Sequence, residues 1–470
     1  MTALVLDDIR QSLRPRSWQP DTLPPILDPR INALIQDAPN TLFSLVEQYG
    51  SPLNIVWPDI LQDNARRLAG VLQSSGVPFR IFYGAKVNKS PGLVEAAARA
   101  GIGIDISSPY ELRDALHAGT PPELVCASGP AKTRDFQREL IRRKVLISVD
   151  SIEELQELDG LLAECSDGPA RILLRYRPAS ATASRFGIGA VSFSKCLRLV
   201  AAQPGRFAFE GFHVHLSGYQ YDGRVKAVAE LIDFVREARA LGLDPQLIDI
   251  GGGLPIQYVA AQVYDDYLAA QSDWHYRNGT IPKSFYPYGS RVDAAQWLEL
   301  LLAAPCREGL ALAELLKAEA LTLAIEPGRS LADQAAVSVF RVNLVKALPG
   351  GTHVVFVEGS SFSACETWFA SEFLVDPIHI ARDGGAEAEV LPMRAFIAGH
   401  SCLDDDVVTN RLLTFHRRPK RGDLLLFANT GGYQMDLLEN EFHRHPLPRR
   451  IRADRDAAGA VVFTPDDAME

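Results

Sequence analysis

The chain has few cysteines, and none of the six (126, 165, 196, 306, 365 and 402) forms a CxxC pair. That spacing excludes a zinc ribbon and offers no framework for a disulfide-stapled domain, and scattered single thiols suit a reducing, cytoplasmic compartment. No His, Cys, Asp or Glu spacing reads as a metal site. No apolar stretch reaches membrane-spanning length, and Met1-Thr-Ala-Leu-Val-Leu-Asp-Asp lacks the charged start and apolar core of an export signal. Positive charge is also scarce. The net charge is −10, the pI is near 5.6 and no basic run exceeds Arg417-Arg-Pro-Lys-Arg421, which argues against nucleic acid as a partner. No repeat or low-complexity tract stands out.

What is present is a large core: 470 residues, 47% of them hydrophobic, enough for two domains. Short apolar strands alternate with amphipathic helices from about residue 79 to 330. The strands are expected at 79–85, 102–106, 124–127, 145–149, 172–176, 209–215, 247–250 and 321–325. Helical patterns lie between them, as in Val225 to Leu241, and eight such units in a row predict a (β/α)8 barrel. After residue 330, β-branched and aromatic runs between Gly, Pro and Asp predict a β domain. Strands are expected there at 336–345, 353–357, 395–398 and 424–427. Residues 1–55 are proline-rich and irregular until Thr41, and Pro52-Leu-Asn-Ile-Val-Trp reads as a strand that joins that β domain. The division expected is therefore 1–55, a barrel at 56–330 and a β domain at 331–470. Residues 257–320 exceed what a strand-to-helix connection needs and carry Trp274-His-Tyr and Phe285-Tyr-Pro-Tyr288. They read either as a lid or interface insertion or as packing elaboration.

Barrel enzymes gather their working groups at the C-terminal strand ends. Phe82-Tyr-Gly-Ala-Lys86 closes the first strand on a lysine, which burial would push toward the free amine able to condense with an aldehyde; a solvated surface lysine is the competing reading. Asp105, followed by Ser107, Ser108 and Glu111, ends the second strand. Phe212-His213-Val-His215 ends the sixth, Asp249-Ile-Gly251-Gly252-Gly253 the seventh and Glu326-Pro-Gly328-Arg329 the eighth. Three glycines let backbone N–H groups wrap a phosphate, and Arg329 can add a charged fork.

Those residues, with Arg185-Phe-Gly, Gly399-His-Ser-Cys402 and Gly431-Gly-Tyr433, resemble the fold type III decarboxylases dependent on pyridoxal 5'-phosphate (PLP). This group includes the diaminopimelate, ornithine and arginine decarboxylases, and the resemblance runs from about residue 40 to 452. It implies an alanine racemase-like barrel plus a C-terminal β domain, and α-decarboxylation of an amino acid. Lys86 would hold PLP as a Schiff base, His215 would stack on the pyridine face and Glu326 would sit against the pyridine nitrogen. The glycines Gly251, Gly252, Gly253 and Gly328, with Arg329 and Tyr433, would meet the cofactor. Asp105 and Glu111 match carboxylates that support Lys86 and His215; for Glu111 a helix-capping role is the alternative. His213 is expected in packing or a polar bond. Cys402, contributed by the partner subunit of a homodimer, would donate a proton. Alanine racemases place arginine where Glu326 falls, so the carboxylate favours decarboxylation; racemisation or epimerisation on the same scaffold and a non-catalytic binding protein are the alternatives.

Two departures bear on the substrate. Relatives carry Asp or Glu directly after the catalytic cysteine to grip the far end of the substrate, and this chain has Leu403. Asp376 matches a second distal-amine ligand. The order His-Leu-Ser-Gly at 215–218 also differs from the relatives' His-Ile/Val-Gly-Ser. A less polar, larger or carrier-linked amino acid is the substrate class this implies.

Overall fold

The computed structural model describes residues 22–164, 168–181, 183–363, 370–383, 392–438 and 440–467. Eight parallel strands close into a barrel: β2 (Phe79–Gly84), β3 (Gly103–Ile106), β4 (Val125–Ala127), β5 (Leu146–Val149), β6 (Ala170–Arg177), β8 (Phe207–His213), β9 (Leu247–Asp249) and β12 (Thr322–Ile325). Each pairs with the next, β5 joins β6, and β12 returns to β2. All eight expected strands are there, with ends within two residues of expectation. Their apolar runs are buried on both faces, as parallel strands under a helical layer require. Phe82, Cys126, Leu146, Leu173, Leu247 and Ala324, from six different strands, fill the barrel centre, so it is a packed core and not a pore. A short strand, β7 (Ile188–Gly189), lies beside β6 and was not expected.

Several helices start where a capping side chain precedes proline. Ser90 accepts from the Leu93 N–H ahead of Pro91–Arg99, and Ser108 accepts from the Glu111 N–H ahead of Pro109–His117. Proline at the first helical position loses no bond that the helix could make, so the chain turns sharply from strand end into helix. That turn aims the strand ends at the mouth of the barrel.

The second body is a nine-stranded sheet. β1 (Leu53–Val56) lies between β13 (Ala336–Ala347), to which it is antiparallel, and β19 (Arg449–Arg455), to which it is parallel. β14 (His353–Glu358), β16 (Met393–Ala398) and β17 (Val407–Phe415) extend one side, and β20 (Val461–Pro465) the other. β18 (Leu424–Ala428) pairs with β13 and with β15 (Ile378–Ile380). The stretch before β1 is less irregular than its prolines suggest: Asp28 caps a helix over Pro29–Asp37 with Pro29 in its first turn.

The long stretch at 257–320 divides in two. Helices Ala294–Ala303 and Leu312–Ala318, with the small ribbon of β10 (Pro305–Arg307) and β11 (Leu310–Ala311) between them, belong to the barrel. They bury Trp297, Leu301 and Leu315 in its main core. The remainder, through helix Ala261–Ala270 to Tyr288, packs Tyr258, Tyr264, Tyr267 and Tyr288 against Phe373 and the β sheet. Arg277 bonds Asn410 through both backbone and side chain. The aromatic residues thus fasten barrel to sheet.

Candidate active site

A cavity of about 300 Å³ opens at the C-terminal mouth of the barrel, at the lower end of the range for small-molecule sites. Lys86 stands on a single 3-10 turn, Ala85–Val87, immediately after β2, and its side chain is 41% exposed to the cavity. Its Nζ lies 3.6 Å from Asp105 Oδ2. Sequence reasoning expected burial to free the amine. Burial does oppose the charge, but the Asp105 and Glu326 carboxylates outweigh it and hold the ammonium above the ordinary lysine range. One strand along, β3 delivers a buried carboxylate to the same corner. Asp105 itself is pushed up to about 7 by burial and by Glu326, with Lys86 opposing.

Glu326, 3% exposed, follows β12. Its Oε2 is 3.1 Å from His215 Nδ1, and its Oε1 is 3.6 Å from His213 Nε2. Burial raises its affinity for a proton, but the histidines and Lys86 prevail and keep the carboxyl below the usual range. A carboxylate only accepts, so His215 Nδ1 carries the proton in this bond. His213 bonds Ser148 Oγ at 2.7 Å, and burial pushes it down to about 3, leaving it neutral. It is the polar bond expected of it. These contacts account for the closeness of the His213, His215 and Glu326 ligand atoms, which lie within 4.8 Å of one another. Glu111 accepts the Ser107 N–H at 2.5 Å while its own N–H goes to Ser108 Oγ, the reciprocal arrangement of a helix cap.

Facing these groups is a glycine cradle. Gly251 and Gly253 have φ of +70° and +80°, and Asp249 Oδ1 accepts the Gly251 N–H at 2.8 Å. A Cβ on Gly251 would enter the His215 ring, and one on Gly252 would meet the Glu326 carbonyl. Gly252, Gly253, Gly328, Arg329 and Tyr433 all line the cavity. The Arg329 guanidinium lies 3.9 Å from the Tyr286 ring centroid and 5.1 Å from that of Tyr433. Tyr433 adopts φ +77° and donates its N–H to Val87 O, which ties the β domain to the lysine turn.

Three residues singled out from sequence stand elsewhere. Asp376 accepts the Leu23 N–H at 2.9 Å and pairs with Arg411, in the seam between the aromatic segment and the sheet. Cys402 and Leu403 are exposed, and Cys402 Sγ lies 3.1 Å from His443 Nε2. None of the three lines the cavity within one chain. Sequence reasoning missed Tyr219 and Tyr286, which line the cavity with their ring centroids 4.9 Å apart, and Arg224, which braces the loop behind it. Tyr286 sits in the aromatic cluster already conspicuous in the sequence; Arg224 interrupts the apolar face of its helix, and that interruption is the signal.

The residues fit PLP. Glu326 Oε1 is buried and has no hydrogen-bond partner among the described residues, as a carboxylate awaiting a pyridinium N–H would be. The glycine cradle leaves room for a phosphate, and Lys86 reaches the space between them.

Site and barrel together define a PLP enzyme of the alanine racemase-like fold. The model for the pyridoxal binding domain of pyridoxal-dependent decarboxylases matches residues 61–277. The uncharacterized protein y4yA of Sinorhizobium fredii is 54% identical, covering 95% of this chain and 97% of that one. The diaminopimelate decarboxylase of Corynebacterium efficiens is 27% identical, over 87% and 85%. Among solved structures, the diaminopimelate decarboxylase of M. jannaschii in co-complex with L-lysine has a TM-score of 0.69 at 20% identity and covers 90% and 91%. The chain belongs to the fold type III PLP-dependent decarboxylases, the family of the diaminopimelate, ornithine and arginine decarboxylases, and its cofactor is PLP. Among the described residues no helix is long and apolar enough to cross a membrane.

Proposed function

We propose that the protein removes the α-carboxyl group of an amino acid whose far end is not an ammonium, with Lys86 as the covalent anchor of PLP and Cys402 of a partner subunit as proton donor. PLP supplies the electron sink that accepts the pair left when CO2 departs. Glu326 is the observation that carries this reading: held ionised by His215 and buried from water, it would keep the pyridine nitrogen of bound PLP protonated and so deepen that sink. His215, fixed by that bond, presents its ring face as a stacking wall. Lys86, held charged by Asp105 and Glu326, would hold a proton at Nζ within reach of the cavity.

The substrate reading rests on what the far end lacks. Leu403 offers no charge where relatives place a carboxylate, and both Asp376 oxygens are engaged, one by Leu23 and one by Arg411. Tyr219, Tyr286 and Tyr433 give the cavity aromatic walls, which suit a larger or less polar side chain. The contact of Cys402 Sγ with His443 supports a thiol able to exchange its proton, and its absence from the cavity of its own chain supports a homodimer that shares sites.

Mass spectrometry of products from PLP-loaded protein and a panel of L- and D-amino acids in heavy water tests the reading. Loss of CO2 with gain of one deuterium is expected. Deuterium exchange at the α-carbon without mass loss would replace decarboxylation by racemisation, and silence across the panel would point to a carrier-bound substrate.

A further inference from the structure

Arg224 is 1% exposed, yet it lies within a helix, Tyr221–Ala240, whose other buried residues are apolar. Its guanidinium gathers four backbone carbonyls. Nη1 donates to Gln220 O at 3.0 Å; Nη2 donates to Gly252 O at 2.6 Å, Gly218 O at 3.0 Å and Leu216 O at 3.3 Å. Among the described residues no carboxylate pairs with it; the Tyr219 hydroxyl acts on its charge, and the Trp297 ring centroid lies 5.3 Å from it. Burial pulls its pKa down to about 10, so it remains charged at neutral pH. A buried cation bonded to neutral carbonyls with no carboxylate to pair it is costly, and an anion on the other side of those peptides would offset part of that cost.

The peptides themselves show where that anion would sit. Each is trans, so a carbonyl turned toward Arg224 turns the next residue's N–H the opposite way. The Leu216, Gly218 and Gly252 carbonyls therefore direct the N–H groups of Ser217, Tyr219 and Gly253 away from the guanidinium, and all three residues line the cavity. Among the described residues the Ser217 and Gly253 N–H groups donate to no other group. We propose that Arg224 is a positioning residue for the phosphate of PLP: it locks two loops, 216–218 and 252–253, so that their N–H groups converge on a phosphate monoester, and its charge balances that anion through the polarised peptides. The altered order His215-Leu-Ser-Gly218 is then compensated by a cation behind the loop.

The test separates the phosphate from the rest of the cofactor. PLP and pyridoxal, which lacks the phosphate, are titrated into cofactor-free wild type, Arg224→Gln and Arg224→Lys, with thermal melts of each protein as a check on folding. Arg224→Gln is expected to weaken PLP binding about tenfold or more, the loss expected when a charge pair is truncated, with pyridoxal affinity within about twofold of wild type. Arg224→Lys recovers part of the loss. An equal loss for both compounds would make Arg224 a packing residue and overturn the proposal, as would no loss for either. If Arg224→Gln does not fold, Arg224→Lys decides: a reduced PLP-to-pyridoxal affinity ratio supports the proposal and an unchanged ratio overturns it.

Discussion

Two lysines, one after β2 and the other after β4, two strands along, live under opposite conditions. Lys132, 1% exposed at its side chain, spends all three of its donors: Gly129 O at 2.6 Å, Ser148 O at 2.8 Å and Glu154 Oε1 at 2.8 Å. Glu154 in turn accepts the Asp150 N–H. Lys86 has a carboxylate near it at 3.6 Å, outside hydrogen-bond range, and a cavity in front. A lysine with every proton committed is a structural post. One held near charge but left unbonded keeps its nitrogen for chemistry, and the difference is set by what the neighbouring strands deliver, not by the lysine.

Substitutions can break that contrast. Lys86→Ala should cost the most: turnover falls by more than about a thousandfold and borohydride no longer fixes cofactor to the protein, while thermal stability barely moves. A variant that still carries PLP covalently would show the anchor to be another residue. Lys132→Met should do the reverse. It leaves Glu154 buried without its cation, lowering stability by about 3 kcal/mol in denaturant titrations, with turnover per folded molecule close to wild type. At neutral pH a smaller effect belongs to His213, one that grows only on acidification. Its folded pKa near 3 lies below the ordinary 6.5, so between those values the unfolded chain binds a proton that the folded one refuses. The stabilising contribution is complete above pH 6.5 and drains away as pH falls toward 3. His213→Gln should therefore flatten the acid limb of the stability curve by about 1 kcal/mol per pH unit. Smallest is Ser108→Ala, which removes the cap shared with Glu111 at a cost of about 1 kcal/mol. Unchanged turnover in that variant would keep Glu111 on the structural side of the comparison.

The barrel was legible because its strands are buried on both faces: a run such as Val145 to Val149 has no solvent side to blur its apolar pattern, and Ser90-Pro91 marked a helix start after the first of them. Lys86, Asp105, His215 and Glu326 were legible because each lies at the C-terminal end of such a strand, Asp105 within β3 and the others within two residues after theirs. The state of Lys86 was not, since its charge depends on Asp105 and Glu326, which are near it only after the ring closes. Arg224 shows the same limit, being a cation among apolar residues whose carbonyl partners come from two loops. Asp376 was read by its position in a motif, but the Arg411 that claims it arrives from another strand, β17. Residues 257–320 looked like one insertion because the helices at 294–303 and 312–318 are separated from β9 by the aromatic segment, so the strand-helix rhythm was interrupted before it resumed. Cys165 and Cys365 lie outside the described residues.

The placement of β1 bears on how the chain is made. Leu53 pairs with Val339 on one side and Arg449 on the other, so the first strand of the described residues to emerge during synthesis waits nearly the whole length of the message for both neighbours. The barrel is continuous in sequence from β2 to β12 and can close on the ribosome as soon as Ile325 is out. Its rim then holds an unpaired ribbon of Leu53-Asn-Ile-Val56 in place while the sheet is still being translated, a sticky edge in a crowded cell until residues 336–347 arrive. An interrupted translation that stops between the two bodies would release a closed barrel carrying that exposed edge, which makes truncated products of this gene candidates for chaperone capture rather than for partial activity.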